Sequence, residues 1–294
     1  MKYSKYIICS FLLSLIACSK DALEPEESQL PADERMMVCF TSRTGSPNQE
    51  NLLQAGLYMV NYVNEQPDEF LESYNYVNNL QLTWTENGWT TETPIYWKDM
   101  ETRADFYVYA PYQSSVTDAR HMEFSIIKEQ STAAAYAQSD LQWGKVAGQS
   151  PTDGGFELTL RHLLCQMIVT VTAGDDFGEE LLASDVQVVF GGSKTSGIVD
   201  LATGAITVNG EANDVTLMSN GDLTYKGVLL PQQIALSSIM VVWRGAIYTI
   251  NKSYKLETGR QYIITLKLNQ AKSGINVGIV GWDVIDEDFG GTAS

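Results

Sequence analysis

Histidine is almost missing from this sequence, with two residues, His121 and His162, in 294, and cysteine is sparse at four. Zinc clusters, imidazole relays and a dense disulfide framework are each limited by that count. Basic residues are also few, 19 Lys and Arg against 36 Asp and Glu, and the resulting net charge of −17 argues against sequence-independent binding to nucleic acid or an anionic membrane. The chain contains no Gly-x-Ser-x-Gly elbow, no phosphate-binding Gly-x-x-x-x-Gly-Lys-Ser/Thr loop, no dinucleotide glycine fingerprint, no His-Glu-x-x-His and no Cys-x-x-Cys. With 44% hydrophobic residues the chain can bury a core, and its length suggests two domains.

The N-terminus carries an address. Lys2 and Lys5 precede an apolar stretch from Ile7 to Ile16 that contains Cys9, the anatomy of an export signal and too short to span a membrane as a helix. It closes with Leu15-Ile16-Ala17-Cys18, which resembles a bacterial lipobox, so residues 1–17 read as a lipoprotein signal peptide and Cys18 as the diacylated residue. Two acyl chains give stable anchoring. An ordinary signal peptide with an incidental Cys18 is the alternative. Residues 18–35 hold Asp21, Glu24, Glu26, Glu27, Asp33 and Glu34 with Pro25 and Pro31, a flexible acidic tether. Acidic residues after a lipidated cysteine also resemble the surface-export signal of Bacteroidales lipoproteins, although Lys20 interrupts the run, and an outer-membrane surface location is favoured over the periplasm. Cys39 and Cys165 then remain in apolar runs, read as two separate buried thiols, with a bridge permitted outside the cytoplasm.

Short β-branched and aromatic runs recur along the rest, separated by Gly, Asn, Asp and Pro. Asn87-Gly88 between Trp84 and Trp89 signals a tight hairpin with the two indoles paired across it. Thr203-Gly204 and Arg244-Gly245 signal two more. Clear helical propensity is confined to residues 131–139, with a helical turn possible at 70–75. Strands without alternating long helices predict an all-β protein of two antiparallel β-sandwich domains in tandem, residues 36–150 and 151–294, joined through the Gly- and Pro-rich stretch 146–155.

Little reads as chemistry. His121 and His162 read as hydrogen-bonded structural residues. Asp283, Asp286, Glu287 and Asp288 cluster without a calcium-loop pattern and read as a solvated terminus. Carboxylate pairs suited to glycoside hydrolysis meet only in space, so sequence neither finds nor removes them. Trp84, Trp97, Trp143 and Trp243 sit in alternating runs and read as core, with a sugar-stacking platform as the alternative. No catalytic residue, cofactor or metal is expected.

Residues 94–97 (Pro-Ile-Tyr-Trp), 104–112, 139–144, 160–167 (Leu-Arg-His-Leu-Leu-Cys-Gln-Met), 259–262 and 275–282 together resemble the fimbrillin family, the type V pilins and related fimbrial lipoproteins of Bacteroidales. The resemblance implies transthyretin-like sandwiches and a non-enzymatic fimbrial subunit in cell adhesion. It also implies assembly in which an arginine-specific protease removes the first strand and a strand of the next subunit replaces it. Here Met36, Met37, Val38, Cys39, Phe40 and Thr41 would be the removable strand and Arg43 the scissile position, with Arg35 as runner-up. Residues 275–284 would lie near the polymerising region. The implied partners are other fimbrial subunits, the outer membrane through lipid on Cys18, and an adhesion ligand of unspecified identity. The alternative is a surface glycan-binding lipoprotein that does not polymerise.

Overall fold

The computed structural model describes residues 35–41, 54–85, 88–175, 177–271 and 274–283. Along the first half run β1 (Phe40–Thr41), β2 (Gln54–Val63), β3 (Gln66–Pro67), β4 (Val77–Thr85), β5 (Gly88–Thr91), β6 (Ala104–Ala110) and β7 (Met122–Ser125). Helix α1 (Ala133–Ser139) follows, then β8 (Gln142–Gln149), β9 (Phe156–Glu157) and β10 (Arg161–His162). The second half holds β11 (Cys165–Ala173), β12 (Val186–Asp200), β13 (Ala205–Thr216), β14 (Met218–Ser219), β15 (Thr224–Leu229), β16 (Gln233–Trp243), β17 (Ala246–Lys255), β18 (Gln261–Ala271) and β19 (Gly274–Asp283). The protein is all-β and built mainly of antiparallel sheets.

In the first sheet the strands lie in the order β10-β8-β6-β2-β4-β5. Its central strands β2 and β6 are buried almost end to end. Leu57, Met59, Phe106, Val108 and Ala110 join one core, with Val38, Trp97 and Phe156. Tyr58, Val60, Tyr107 and Tyr109, alternating with them, join a second core that extends through the whole second half to Leu268. A strand buried on both faces has no polar alternation, which is why Leu57-Tyr58-Met59-Val60 reads as a continuous apolar run.

The second half forms two five-stranded sheets, β14-β15-β11-β18-β19 and β13-β12-β16-β17 with β7 added alongside β12. β11 and β18 run parallel, Gln166 opposite Gln261 through Ala173 opposite Leu268, an exception to the antiparallel expectation. Among the described residues, pairings cross position 150 between β1 and β9, β8 and β10, and β7 and β12, and at the bridge of Glu129 with Thr216. The expected connecting stretch 146–155 begins inside β8, where Gln149 still pairs with Ala104. The contiguous halves are therefore interleaved through pairing.

The local signals are realised with one shift. Trp84 pairs with Trp89, their rings 5.1 Å apart and edge to face. Gly88, at φ 107°, pairs with Thr85, so it belongs to the ladder and is not a turn centre. Trp243 pairs with Ala246 around Arg244 and Gly245, both at positive φ as a primed two-residue turn requires. The helix starts at Ala133 with Thr132 as its N-cap, whose Oγ1 accepts the Ala135 N–H at 3.2 Å. Residues 70–75 make a turn closed by the Asn75 N–H donating to Leu71 O.

Candidate functional site

Residues 36–41 occupy a slot between two short backbone edges. On one side the Val38 N–H donates to Ile95 O at 2.8 Å and the Trp97 N–H donates to Met36 O at 2.9 Å, around an antiparallel bridge of Met37 with Tyr96. On the other, the Phe156 N–H donates to Cys39 O at 3.2 Å, and β1 then runs parallel to β9 with Phe40 opposite Phe156. Alternation decides which side chains enter. Val38 is buried, Met36 and Phe40 pack on the same core, and Met37 turns outward, 48% exposed.

The inward side chains complete an aromatic cluster. The Phe40 ring lies 5.4 Å from Phe156 and 6.2 Å from Phe106, both edge to face, and Trp97 meets Phe106 at 5.6 Å. The segment therefore supplies side chains to a core, while among the described residues its backbone is held by the bonds to Ile95, Trp97 and Phe156 and by the two-residue β1–β9 pairing. Edge groups on both flanks could be satisfied equally by another extended chain. Arg35 is half-buried at the head of this segment. Arg43 and Cys18, the expected scissile and lipidated positions, lie outside the described residues. The slot walls 95–97 and 156–157 were not singled out from sequence as partners of the first strand. The alternating apolar Ile95 and Trp97 were the available signal.

The remaining candidates are scattered. His121 Nδ1 pairs with Asp118 Oδ2 at 2.8 Å on the surface. His162 Nδ1 pairs with Asp140 Oδ1 at 2.7 Å in a half-buried corner, where Gln142 also donates to Asp140. Among the described residues no three His, Cys, Asp or Glu side chains form a metal-binding group, and no helix is long and apolar enough to cross a membrane. Both described cysteines are free thiols. The Cys165 Sγ–H donates to Glu257 O at 3.1 Å, and burial, reinforced by Glu257, pushes the thiol pKa far up. Trp89, Trp97 and Trp143 are buried, so these three form no exposed stacking platform. The acidic cluster beyond Asp283 lies outside the described residues.

None of the curated proteins matches the chain. Solved structures do. A candidate cell adhesion protein of Bacteroides uniformis is 23% identical with a TM-score of 0.67, the match covering 88% of this chain and 100% of that one. A second candidate cell adhesion protein, from Bacteroides ovatus, is 16% identical with a TM-score of 0.62 over 81% of this chain and 89% of its own. A fimbrial protein of Bacteroides vulgatus is 12% identical with a TM-score of 0.51 over 85% of this chain and 99% of its own. At these identities the likeness is one of fold. The family model described as Fimbrillin-like matches residues 41–282, most of the sequence, and the chain belongs to that family.

Proposed function

We propose that the chain is a non-enzymatic subunit of a surface fimbria that serves cell adhesion, exported as a lipoprotein through Cys18 and assembled by strand replacement. Family membership and the cell-adhesion and fimbrial proteins of like fold support the coarse reading. The observation that carries the finer one is the attachment of residues 36–41, whose side chains complete a core while, among the described residues, their backbone is held through Ile95, Trp97 and Phe156 and the short β1–β9 pairing. Proteolysis after Arg43 would release Met36, Val38 and Phe40 and leave Trp97, Phe106 and Phe156 facing an empty slot. A strand from another subunit would refill it, contributing backbone hydrogen bonds to 95–97 and 156–157 and alternate side chains to the core. Cutting at Arg35 instead would leave the first strand in place.

The test is the N-terminus of the protein taken from its native cell surface, by intact mass and terminal sequencing. A chain beginning at Thr44 supports strand removal, and arginine-specific proteolysis should then yield a ladder of SDS-resistant oligomers. A chain beginning at a diacylated Cys18 with Arg43 intact removes the opening step and leaves an anchor or stand-alone surface lipoprotein, with glycan binding as the competing role.

A further inference from the structure

Away from the first-strand slot, a cavity of about 380 Å³ opens at the β10 edge of the first sheet, lined by Trp143, Gly144, Lys145, Ala147, Thr159 and Arg161. Its volume lies in the lower part of the ~300–1,000 Å³ range of small-molecule sites. β10 pairs with only Gln142 and Trp143 of β8, so beyond Trp143 the sheet loses its outer strand and the cavity occupies the space. Gly144 and Ala147 keep the floor low. A Cβ at position 144 would collide with the Thr159 carbonyl oxygen, so this wall is backbone.

Arg161 is the informative residue. Its guanidinium carbon sits 5.0 Å from the centre of the Trp143 ring, and among the described residues no carboxylate pairs with it. In a chain of 36 acids and 19 bases that is unusual. Arg244 reaches both Asp185 and Glu179, Arg103 reaches Glu65, and Arg120 reaches Asp200. A guanidinium stacked on an indole uses its π face and keeps its in-plane N–H donors free, the edge that matches a carboxylate fork. The indole is itself fixed, since Nε1–H donates to Leu201 O at 2.8 Å and Gly204 packs against the ring. The platform under Arg161 is therefore rigid.

Charge sets the ligand's valence. Lys145, the second cation of the lining, is already matched by Asp105 at 2.9 Å, so the lining presents one uncompensated positive charge. Glu157 accepts from the Thr159 hydroxyl at 3.4 Å and is not among the residues lining the cavity. One excess charge suits a single carboxylate better than a dianion. The overall charge of −17 repels a densely anionic polymer, such as an acidic peptide run, more than a mostly neutral one carrying isolated carboxylates. The shallow floor of glycine, alanine and backbone leaves room for a ring behind the charged group.

We propose that this cavity binds the carboxylate of a uronic-acid-type sugar, with Arg161 as the bidentate donor. The site is separate from the first-strand slot and does not depend on polymerisation. The test is a titration of the full chain followed by the side-chain N–H resonances of Arg161 and Trp143. Sodium glucuronate is compared with glucose at equal ionic strength and with N-acetylglutamate. Saturable shifts at both resonances with glucuronate, none with glucose, and weakening of at least about tenfold in R161Q are expected, R161K falling between. Equal shifts with glucose, or none with glucuronate up to its solubility limit, would overturn the proposal. N-acetylglutamate binding as tightly as glucuronate would overturn the sugar assignment in favour of a peptide carboxylate. The wild-type titration decides the matter even if a variant fails to fold.

Discussion

Trp143, before position 150, donates its indole N–H to the carbonyl oxygen of Leu201, well beyond it, at 2.8 Å. The bond is buried, and it lies within a core that runs from Tyr58 and Tyr107 to Leu266 and Leu268 without a break. Together with the pairing of β7 along β12, it joins the two halves through packing and backbone as well as through the chain. A seam of this kind predicts one cooperative unfolding event. Denaturation followed by tryptophan fluorescence and by far-ultraviolet circular dichroism should give coincident transitions. Two separated transitions would mean that the halves fold independently.

Trp143→Phe tests the seam itself. It leaves the Leu201 carbonyl without its partner while keeping most of the ring, and should cost about 1–3 kcal/mol. Gly204→Ala should cost more than a surface glycine substitution. Gly204 has φ 73°, and a Cβ there would come within 2.8 Å of the Trp143 ring. Both are read as a lowered denaturation midpoint, and Gly221→Ala, also at positive φ but with open space around it, is the control that isolates the ring contact.

Phe40→Ala should destabilise the uncut chain by about 2–3 kcal/mol, at or below the lower end for a fully buried phenylalanine because Phe40 is only half-buried. Met37→Ala, at an outward-facing neighbour, should change stability by less than about 0.5 kcal/mol. The contrast between alternate positions is the signature of a strand completing a core. Equal effects would mean that the segment is not seated as a strand.

The first strand was legible as the apolar run Met37-Val38-Cys39-Phe40, although Cys39, read from it as a buried thiol, is only half-buried while Met36, Val38 and Phe40 pack inward, and the hairpins at Thr203-Gly204 and Arg244-Gly245 were legible because turn chemistry is local. The partners of these elements were not. Nothing within residues 36–41 specifies Ile95 or Phe156, and nothing within 122–125 specifies Ser196 to Val199, since those contacts are set when distant surfaces pack. The parallel pairing of β11 with β18 spans the intervening sheet strands and was likewise outside the reach of local patterning. The Arg161 cavity depends on a strand that ends early, which composition does not announce.

Acid should weaken the fold through Asp99 and Asp118. Burial alone would raise Asp99, but the Thr102 hydroxyl at 2.6 Å, the Thr102 N–H and the Glu101 N–H outweigh it and hold its pKa below the usual value. Asp118 is lowered chiefly by the Arg120 N–H, against burial, with His121 adding to it. A carboxylate with a depressed folded-state pKa contributes stability above its unfolded value near 3.9, and that contribution disappears as pH falls through the folded value. Stability measured from neutral pH into acid should fall below about pH 4, and Asp99→Asn or Asp118→Asn should flatten that limb.

Thiol chemistry separates the two described cysteines. Cys165 is buried with its pKa raised, so little thiolate is present for alkylation in the folded state. Cys39 is half-buried within the segment that fills the slot. Iodoacetamide at mildly alkaline pH should modify Cys39 well before Cys165, and denaturant should make the two rates converge. Mass mapping reads this directly, and early modification of Cys165 would show that its surroundings open at native conditions.

The ion pair between buried Asp105 and the more exposed Lys145 gives a prediction whose size depends on which partner is removed. Asp105 is 1% exposed and accepts from the Lys145 ammonium at 2.9 Å, the Gly148 N–H at 2.7 Å, and the hydroxyls of Tyr62 and Tyr107 at 3.0 and 3.3 Å. Asp105→Ala strands four donors at once, one of them charged, and should cost about 3–5 kcal/mol. Lys145→Ala should cost less, because the carboxylate keeps its three other donors and the lysine side chain is 32% exposed. With both replaced, no unmatched charge remains. The double variant should therefore be more stable than the sum of the single losses implies, by about 1–3 kcal/mol. Strict additivity in chemical denaturation would mean that the pair is screened by solvent, and that Lys145 is as free as Arg161 to meet an anion in the cavity.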